Sequence, residues 1–284
     1  MEKKLSIISH KKAKSLVEKT AAMIFRGCAI ISVLAVVTIT GYMIISGTPA
    51  IFKEGITGIL FSTTWAPTAA HPQYGIAYVI LTSIVGVFLA ICIGVPIGLF
   101  TAINLAEIAP VKLRKILKSA IELLAGIPSV VYGLLGILIV NPMMYILELM
   151  IYHGSKTHQF TGGANLLSAI IVLAIMILPT LINISETALK AVPDDYRKSS
   201  LALGASKMQT IFKVVVPSAK SGIMSAIVLG VGRAIGEAMA ILLVAGNAVS
   251  LPLPFNSVRF LTTAIVSEMG YASGTHRQVL FTIG

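Results

Sequence analysis

Five stretches of this chain, residues 27–46, 76–100, 121–140, 166–184 and 222–246, are apolar almost throughout. Each is about 20 residues or longer, enough for a helix to cross a hydrocarbon layer about 30 Å thick. Lipid offers backbone amides no partner, so runs of this kind fold as spanning helices whose amides pair within the segment. A soluble globule is excluded, because only 12% of the 284 residues are charged and 56% are hydrophobic. The expectation is an all-α, polytopic helical membrane protein of about six transmembrane helices, with a sixth span beginning at Val279 and cut short at Gly284.

The formal charge of +11 could point to nucleic acid, but its distribution points to topology instead. The tail holds Lys3, Lys4, Lys11, Lys12, Lys14, Lys19 and Arg26; the second loop Lys112, Arg114, Lys115 and Lys118; the fourth Lys190, Arg197, Lys198, Lys207, Lys213 and Lys220. The remaining loops carry only Lys53, Lys156, Arg259 and Arg277. This alternation places the amino terminus and the second and fourth loops in the cytoplasm. It divides the chain into a basic cytoplasmic tail, 1–26, and a transmembrane domain, 27–284. The first run is longer than a signal-peptide core and reads as an anchor that stays. The tail could lie on the inner leaflet as an amphipathic helix with Leu5, Ile8 and Leu16 toward lipid; a solvated tail that fixes topology is the favoured reading.

Within the expected spans Cys28 and Cys92 read as small apolar packing residues, not a disulfide. His153 and His158 lack a third ligand at metal spacing, so neither a metal nor a cofactor is expected. The segment from Gly47 to Tyr74, with Trp65, Pro67 and Pro72, reads as irregular structure with the tryptophan at the interface. Pro128 at the start of the third run frees carbonyls that a kink can re-aim, and Gly126, Gly133 and Gly136 permit close helix approach.

The most organised polar segment is the loop 193–217, VPDDYRKSSLALGASKMQTIFKVVVP. Asp194 and Asp195 after Pro193 start one short helix; Gly204 interrupts it; Ser206 can cap a second that ends near Pro217. Ala202, Leu203, Met208, Ile211 and Phe212 are available for burial against a partner or against the chain's own helix ends.

This loop resembles the cytoplasmic motif of ATP-binding-cassette (ABC) importer permeases: Glu-Ala-Ala, three residues, Gly, nine residues, Ile, one residue, Leu-Pro. Gly204 is followed at those distances by Val214, Val216 and Pro217, while Lys198, Ser199 and Ser200 stand where the family has Glu-Ala-Ala. IELLAGIPSVVYGLLG (121–136) and LGVGRAIGEAMA (229–240) narrow the likeness to phosphate-transport permeases of the PstC type, over about residues 75–246. The resemblance implies a type I ABC importer permease fold in a prokaryotic cell membrane. It also implies a second, PstA-like permease, a cytoplasmic ABC ATPase dimer and an extracytoplasmic phosphate-binding protein as partners. Residues 193–217 would then be the loop coupling to the ATPase, through Lys198, Ser199, Ser200, Gly204, Met208, Ile211, Phe212 and Pro217. The chain has no Gly-Lys dipeptide and hence no P-loop, so ATP is hydrolysed elsewhere.

Arg233 and Glu237 stand near the middle of the last complete apolar run, and a helix would place them one turn apart, able to pair. Their face carries Ala226, Gly230, Ala240 and Val244; the opposite face carries Val228, Val231, Ile235 and Leu242. A narrow polar face of this kind is expected to line a conduit. Ionisable groups at bilayer depth cost about 2.5–3.5 kcal/mol each on insertion scales, which makes function the first hypothesis. The competing reading is a salt bridge that orients helices. Arg233 would meet phosphate in transit and Glu237 would neutralise it between passages. An intramembrane Arg alone does not separate phosphate from molybdate, tungstate or sulfate. Enzymatic activity is not expected, since no Asp and none of the 5 His residues lies in an expected span. A stand-alone channel or secondary carrier would not need the glycine-hinged loop.

Overall fold

The computed structural model describes residues 2–155 and 157–284, with side chains from Glu18 onward. The expectation for Leu5, Ile8 and Leu16 therefore lies outside the described side chains. Helix α1 (Glu2–Glu54) carries the first apolar run and continues through Pro49, where irregular structure was expected. Proline removes one amide from the ladder; next to it, Thr48 Oγ1 donates to Ile44 O. Helix α2 (Ile56–Phe61) and an antiparallel pair, β1 (Trp65–Ala66) with β2 (Gln73–Tyr74), complete the first connection.

Helix α3 (Ala77–Ile103) ends in a π-turn, Asn104–Ile108, and is followed by α4 (Val111–Gly126). The third span does not occupy 121–140 as expected. α4 stops at Pro128, which holds Ile127 extended (ψ 128°), and the span is Ser129–Ile151, built from α5 (Ser129–Leu135), a π-turn and α6 (Asn141–Ile151). The carbonyl that Pro128 would have paired by helical geometry is Leu124 O, and Tyr132 Oη donates to it at 2.7 Å. Gly133 and Gly136 of this span meet Ala240 and Val244, whereas nothing approaches Gly126.

Helix α7 (Leu166–Lys190) is the centre of the bundle, with 61% of its apolar window buried. Asn165 caps it by accepting from Ser168 N at 3.1 Å. α3 lies against α7 along Gly86, Ala90, Gly94, Gly98 and Ala102, all buried at four-residue spacing. A Cβ added at Gly94 would stand 2.6 Å from Ile177 Cδ1, so the contact requires that small-residue stripe. The stripe is readable in the sequence once its four-residue period is sought.

The loop 193–217 is two short helices bent at a glycine, as expected. α8 (Asp194–Ala202) ends before Gly204, whose φ is +85°, and Ser206 forms a capping box with Gln209 at the start of α9 (Lys207–Thr210). A π-turn (Ile211–Val215) and α10 (Val216–Ser218) lead into α11 (Lys220–Gly236), bent 69° from the preceding segment. α12 (Met239–Val244), α13 (Leu261–Glu268) and α14 (Gly274–Ile283) complete the chain. α14 begins ahead of Val279 and packs on α1, Thr282 Oγ1 donating to Gly47 O at 2.8 Å.

Among the described residues four helices are long and apolar enough to cross a membrane, and a fifth if the bent pair Lys207–Ser218 with Lys220–Gly236 counts as one span. The two basic loops share one end of the bundle, where Arg197 bonds Glu107 and Lys118 lies 3.8 Å from Glu186. Trp65, Arg259, Glu268 and His276 meet at the other, hereafter the outer end. Cys28 and Cys92 are unpaired and exposed rather than packed inside, a setting an apolar thiol tolerates in lipid.

Gly163 closes the loop between α6 and α7 with φ +83°, and its missing Cβ would overlap the Asn141 carbonyl. Gly154 has a similar φ, +80°, but open space around it. Gly163→Ala should therefore lower the thermal unfolding midpoint of the purified protein more than Gly154→Ala does, with backbone strain contributing about 1–3 kcal/mol in both. Equal midpoints would contradict the close approach at Asn141.

Candidate functional site

The helix bearing Arg233 and Glu237 is broken between them. α11 ends at Gly236, Glu237 is extended (ψ 131°), and α12 begins at Met239. A broken helix leaves carbonyls unpaired on one side and amides on the other. Arg233 lies in the last turn of α11, where a cation suits the carbonyl end. Glu237 is buried and its Oε1 accepts from Ala240 N at 3.0 Å, satisfying an amide of α12. The Glu237 carbonyl accepts from Thr262 Oγ1 of α13 at 2.6 Å.

This corrects the expected pair: among the described residues no ion pair joins Arg233 to Glu237. The break takes the two out of helical register. Arg233 Nη1 instead donates to Thr180 Oγ1 of α7 at 3.1 Å. A guanidinium carries five N–H donors. Its other nitrogens are not buried orphans, so they reach open surface.

The expected conduit face is also corrected. Ala226, Gly230, Ala240 and Val244 are buried within the chain, Gly230 against Leu181, so these small residues serve packing of the broken helix on its neighbours. Val228 and Ile235 are exposed, as expected for the opposite face. Gly232 and Gly236 flank Arg233 with open space, and Leu229, Ile235 and Met239 beside them are exposed. Arg233 thus sits half-buried at an open side of the bundle. A cavity of about 540 Å³ between α3 and α13, lined by Phe88, Ile235, Phe260 and Ile265, excludes both Arg233 and Glu237.

In the loop 193–217, the apolar side chains of Leu203, Met208 and Phe212 are left uncovered, 88%, 52% and 43% exposed. Ile211, expected among them, is 1% exposed and packed with Ile103, Leu105 and Leu189. Lys198, Ser199 and Pro217 are exposed, while Ser200 Oγ lies 2.9 Å from Thr210 Oγ1 and ties α8 to α9. Arg197 binds Glu107 across the loop, which raises its pKa above the already high arginine value.

Sequence reasoning missed the buried carboxylates. Glu148 accepts from His158 Nε2 at 2.8 Å and from Thr161 N and Oγ1, both at 3.1 Å. Glu268 accepts from His276 Nε2 at 2.7 Å, from Trp65 Nε1 at 3.1 Å and from Arg259 Nη1. Trp65 is therefore a hydrogen-bond donor inside an outer cluster, not only an interfacial anchor. Glu186, held by Lys190 and Lys118, carried the one visible signal, a lysine four residues on.

The pattern of the family described as binding-protein-dependent transport system inner membrane component matches residues 94–279. A probable ABC transporter permease protein, YqgH, of Bacillus subtilis is 40% identical over 270 residues, covering 94% of this chain and 84% of that protein. The phosphate transport system permease protein PstC of Pasteurella multocida is 36% identical over 235 residues, 79% of this chain and 73% of that protein. Its counterpart in Xylella fastidiosa (strain 9a5c) is 33% identical, covering 88% and 80%.

The break predicts a difference between two variants. Glu237→Ala removes the acceptor for Ala240 N and should destabilise the purified protein by about 0.5–2 kcal/mol, the usual loss for a helix cap. Glu237→Gln keeps an oxygen there and should melt near the wild-type midpoint. Identical curves for Ala and wild type would remove Glu237 as the group that holds the break.

Proposed function

We propose that this chain, which belongs to the binding-protein-dependent transport system inner membrane components, forms part of the pathway by which an ATP-driven importer admits phosphate. As a member of that family it is a membrane-embedded transport subunit, not an enzyme. The observation that carries the phosphate reading is the state of Arg233: a half-buried guanidinium in a membrane helix, held by one neutral hydroxyl, with donors left over. Arg197 and Arg259, by contrast, are bound to carboxylates. A cation at bilayer depth without a carboxylate partner is costly, and an anion that visits it offsets that cost. The planar fork of donors matches two phosphate oxygens, which an ammonium cannot do.

The roles of the two charged residues differ. Arg233 meets the anion, and Glu237, engaged with Ala240, keeps the helix broken so that Arg233 stands at a terminus. The open surface around Gly232, Gly236 and Met239 is where a second, related permease would complete the pathway. Leu203, Met208 and Phe212 would insert into a groove of the ATPase, with Gly204 setting the bend and Lys198, Ser199 and Ser200 on the helix beside it. An extracytoplasmic phosphate-binding protein would deliver the anion at the outer end. The PstC relatives are phosphate transport system permeases by name, which favours phosphate over other oxyanions.

The test is uptake of labelled phosphate by the assembled complex. Charge-assisted hydrogen bonds are worth about 1.5–3 kcal/mol, so Arg233→Ala should reduce uptake by about one to two orders of magnitude while the ATPase still co-purifies. Wild-type uptake in that variant would remove Arg233 from the mechanism. Excess unlabelled phosphate should compete, and stronger competition by molybdate, tungstate or sulfate would reassign the anion. Met208→Asp with Phe212→Asp should abolish co-purification of the ATPase, and full retention would refute the docking surface.

A further inference from the structure

Arg197 makes more contacts than a surface loop residue needs. Its Nη2 donates to Glu107 Oε1 at 2.7 Å and to Leu189 O at 2.9 Å; Nη1 donates to Val192 O at 2.6 Å and to Asp194 Oδ1 at 3.3 Å; Nε reaches Glu107 Oε2 at 3.2 Å. Glu107 belongs to the π-turn that ends α3. Leu189 is in the last turn of α7, its carbonyl already accepting from the Val192 amide at 3.4 Å, and Val192 follows the helix, so the guanidinium adds a second donor to one carbonyl at the helix end and takes the next beyond it. One guanidinium on α8 therefore grips the cytoplasmic ends of α3 and α7 together, and it is 19% exposed.

The grip leads toward Arg233. Leu189 and Thr180 lie on one helix, α7, and nine residues at 1.5 Å rise separate them by about 14 Å. Thr180 Oγ1 is the acceptor for Arg233. Apolar packing also joins the loop to the bundle, through Ile211 and Val215 against Ile103 and Ile182. Such packing resists separation but has no preferred direction, whereas a fork bonded to backbone or carboxylate acceptors of four residues fixes orientation as well as distance. A lysine at position 197 could satisfy Glu107 but could not hold both carbonyls in the same plane.

We propose that Arg197 is a positioning residue that transmits displacement of the 193–217 loop to α3 and α7, and through α7 to the contact between Thr180 and Arg233. The proposal rests on the reading of that loop as the ATPase-facing surface.

The complex of both permeases, the ATPase and the phosphate-binding protein is reconstituted in vesicles, and labelled phosphate transported per ATP hydrolysed is measured. Arg197→Ala and Glu107→Gln should leave the ATPase bound and hydrolysing while phosphate per ATP falls by about tenfold, within the usual range of coupling between sites. A merely structural role lowers uptake and hydrolysis together and leaves the ratio unchanged, and that result would overturn the proposal. If Arg197→Ala does not assemble, Arg197→Lys and Glu107→Gln decide it by the same ratio.

A second readout is independent of the anion. Thr180→Cys is placed on a Cys28→Ser, Cys92→Ser background, and its reaction rate with a thiol reagent is measured with and without ATP and vanadate. The nucleotide-dependent change should be present with Arg197 and lost in Arg197→Ala; the same change in both would also overturn the proposal. Failure of the underlying docking reading shows separately, as retention of the ATPase by the Met208 and Phe212 variants.

Discussion

A backbone amide or carbonyl left without a partner in hydrocarbon costs several kcal/mol, and the departures of this chain from straight spanning helices follow that constraint. Where Pro128 ends α4, Tyr132 reaches back to the carbonyl at Leu124. Between α11 and α12, Glu237 accepts from the buried Ala240 amide and Thr262 donates to the Glu237 carbonyl. At the C-terminal end of α7, Arg197 takes the carbonyls of Leu189 and Val192. Each of these three irregularities thus has a side chain bonded to its backbone, and Glu237 and Arg197 are polar residues that composition alone marks as out of place.

The same constraint sorts the charges. Glu107, Glu148, Glu186 and Glu268 are largely buried, and each is bound by a cation, a histidine or a set of donors. Burial without such partners would cost more than the fold could supply. Arg233 differs because its recorded partner is a neutral hydroxyl. Its position is understandable if the partner that neutralises it comes and goes. A permanent carboxylate partner would compete with any anion that approached.

Much of the architecture was legible because hydrophobic length is a coarse signal that survives local detail. Spans near 27–46, 76–100 and 166–184 coincide with helices, and the glycine hinge at Gly204 with its cap at Ser206 follows from short-range turn chemistry. The third and fifth spans were misplaced because hydropathy is indifferent to where a helix stops. Ile121, Leu123 and Leu124 read as the start of a span but belong to α4, and residues 237–238 interrupt a run that reads as continuous. The Arg233–Glu237 pair was inferred from a helical register that the break abolishes. Ile211 was separable from Met208 and Phe212 only through its contacts with Leu105 and Leu189, residues distant in sequence. Glu107 with Arg197 and Trp65 with Glu268 were invisible for the same reason.

The distribution of rigid and breakable contacts follows from these details. α3 and α7 interlock along Gly94 against Ile177 and Gly98 against Leu181, a close approach with no slack, so the two helices move as a unit if they move at all. Arg197 holds both of them at the end that carries the basic loops. α7 carries Pro179 immediately before Thr180, so its hydrogen-bond ladder is interrupted one turn earlier, beside the residue that holds Arg233. α11 ends three residues after Arg233. The guanidinium therefore lies where both helices are locally weakest, while the interface that would carry a displacement to it is among the tightest in the bundle. A fold that was rigid at Thr180 and loose along α3 and α7 would dissipate motion before it reached the hydroxyl to which Arg233 donates.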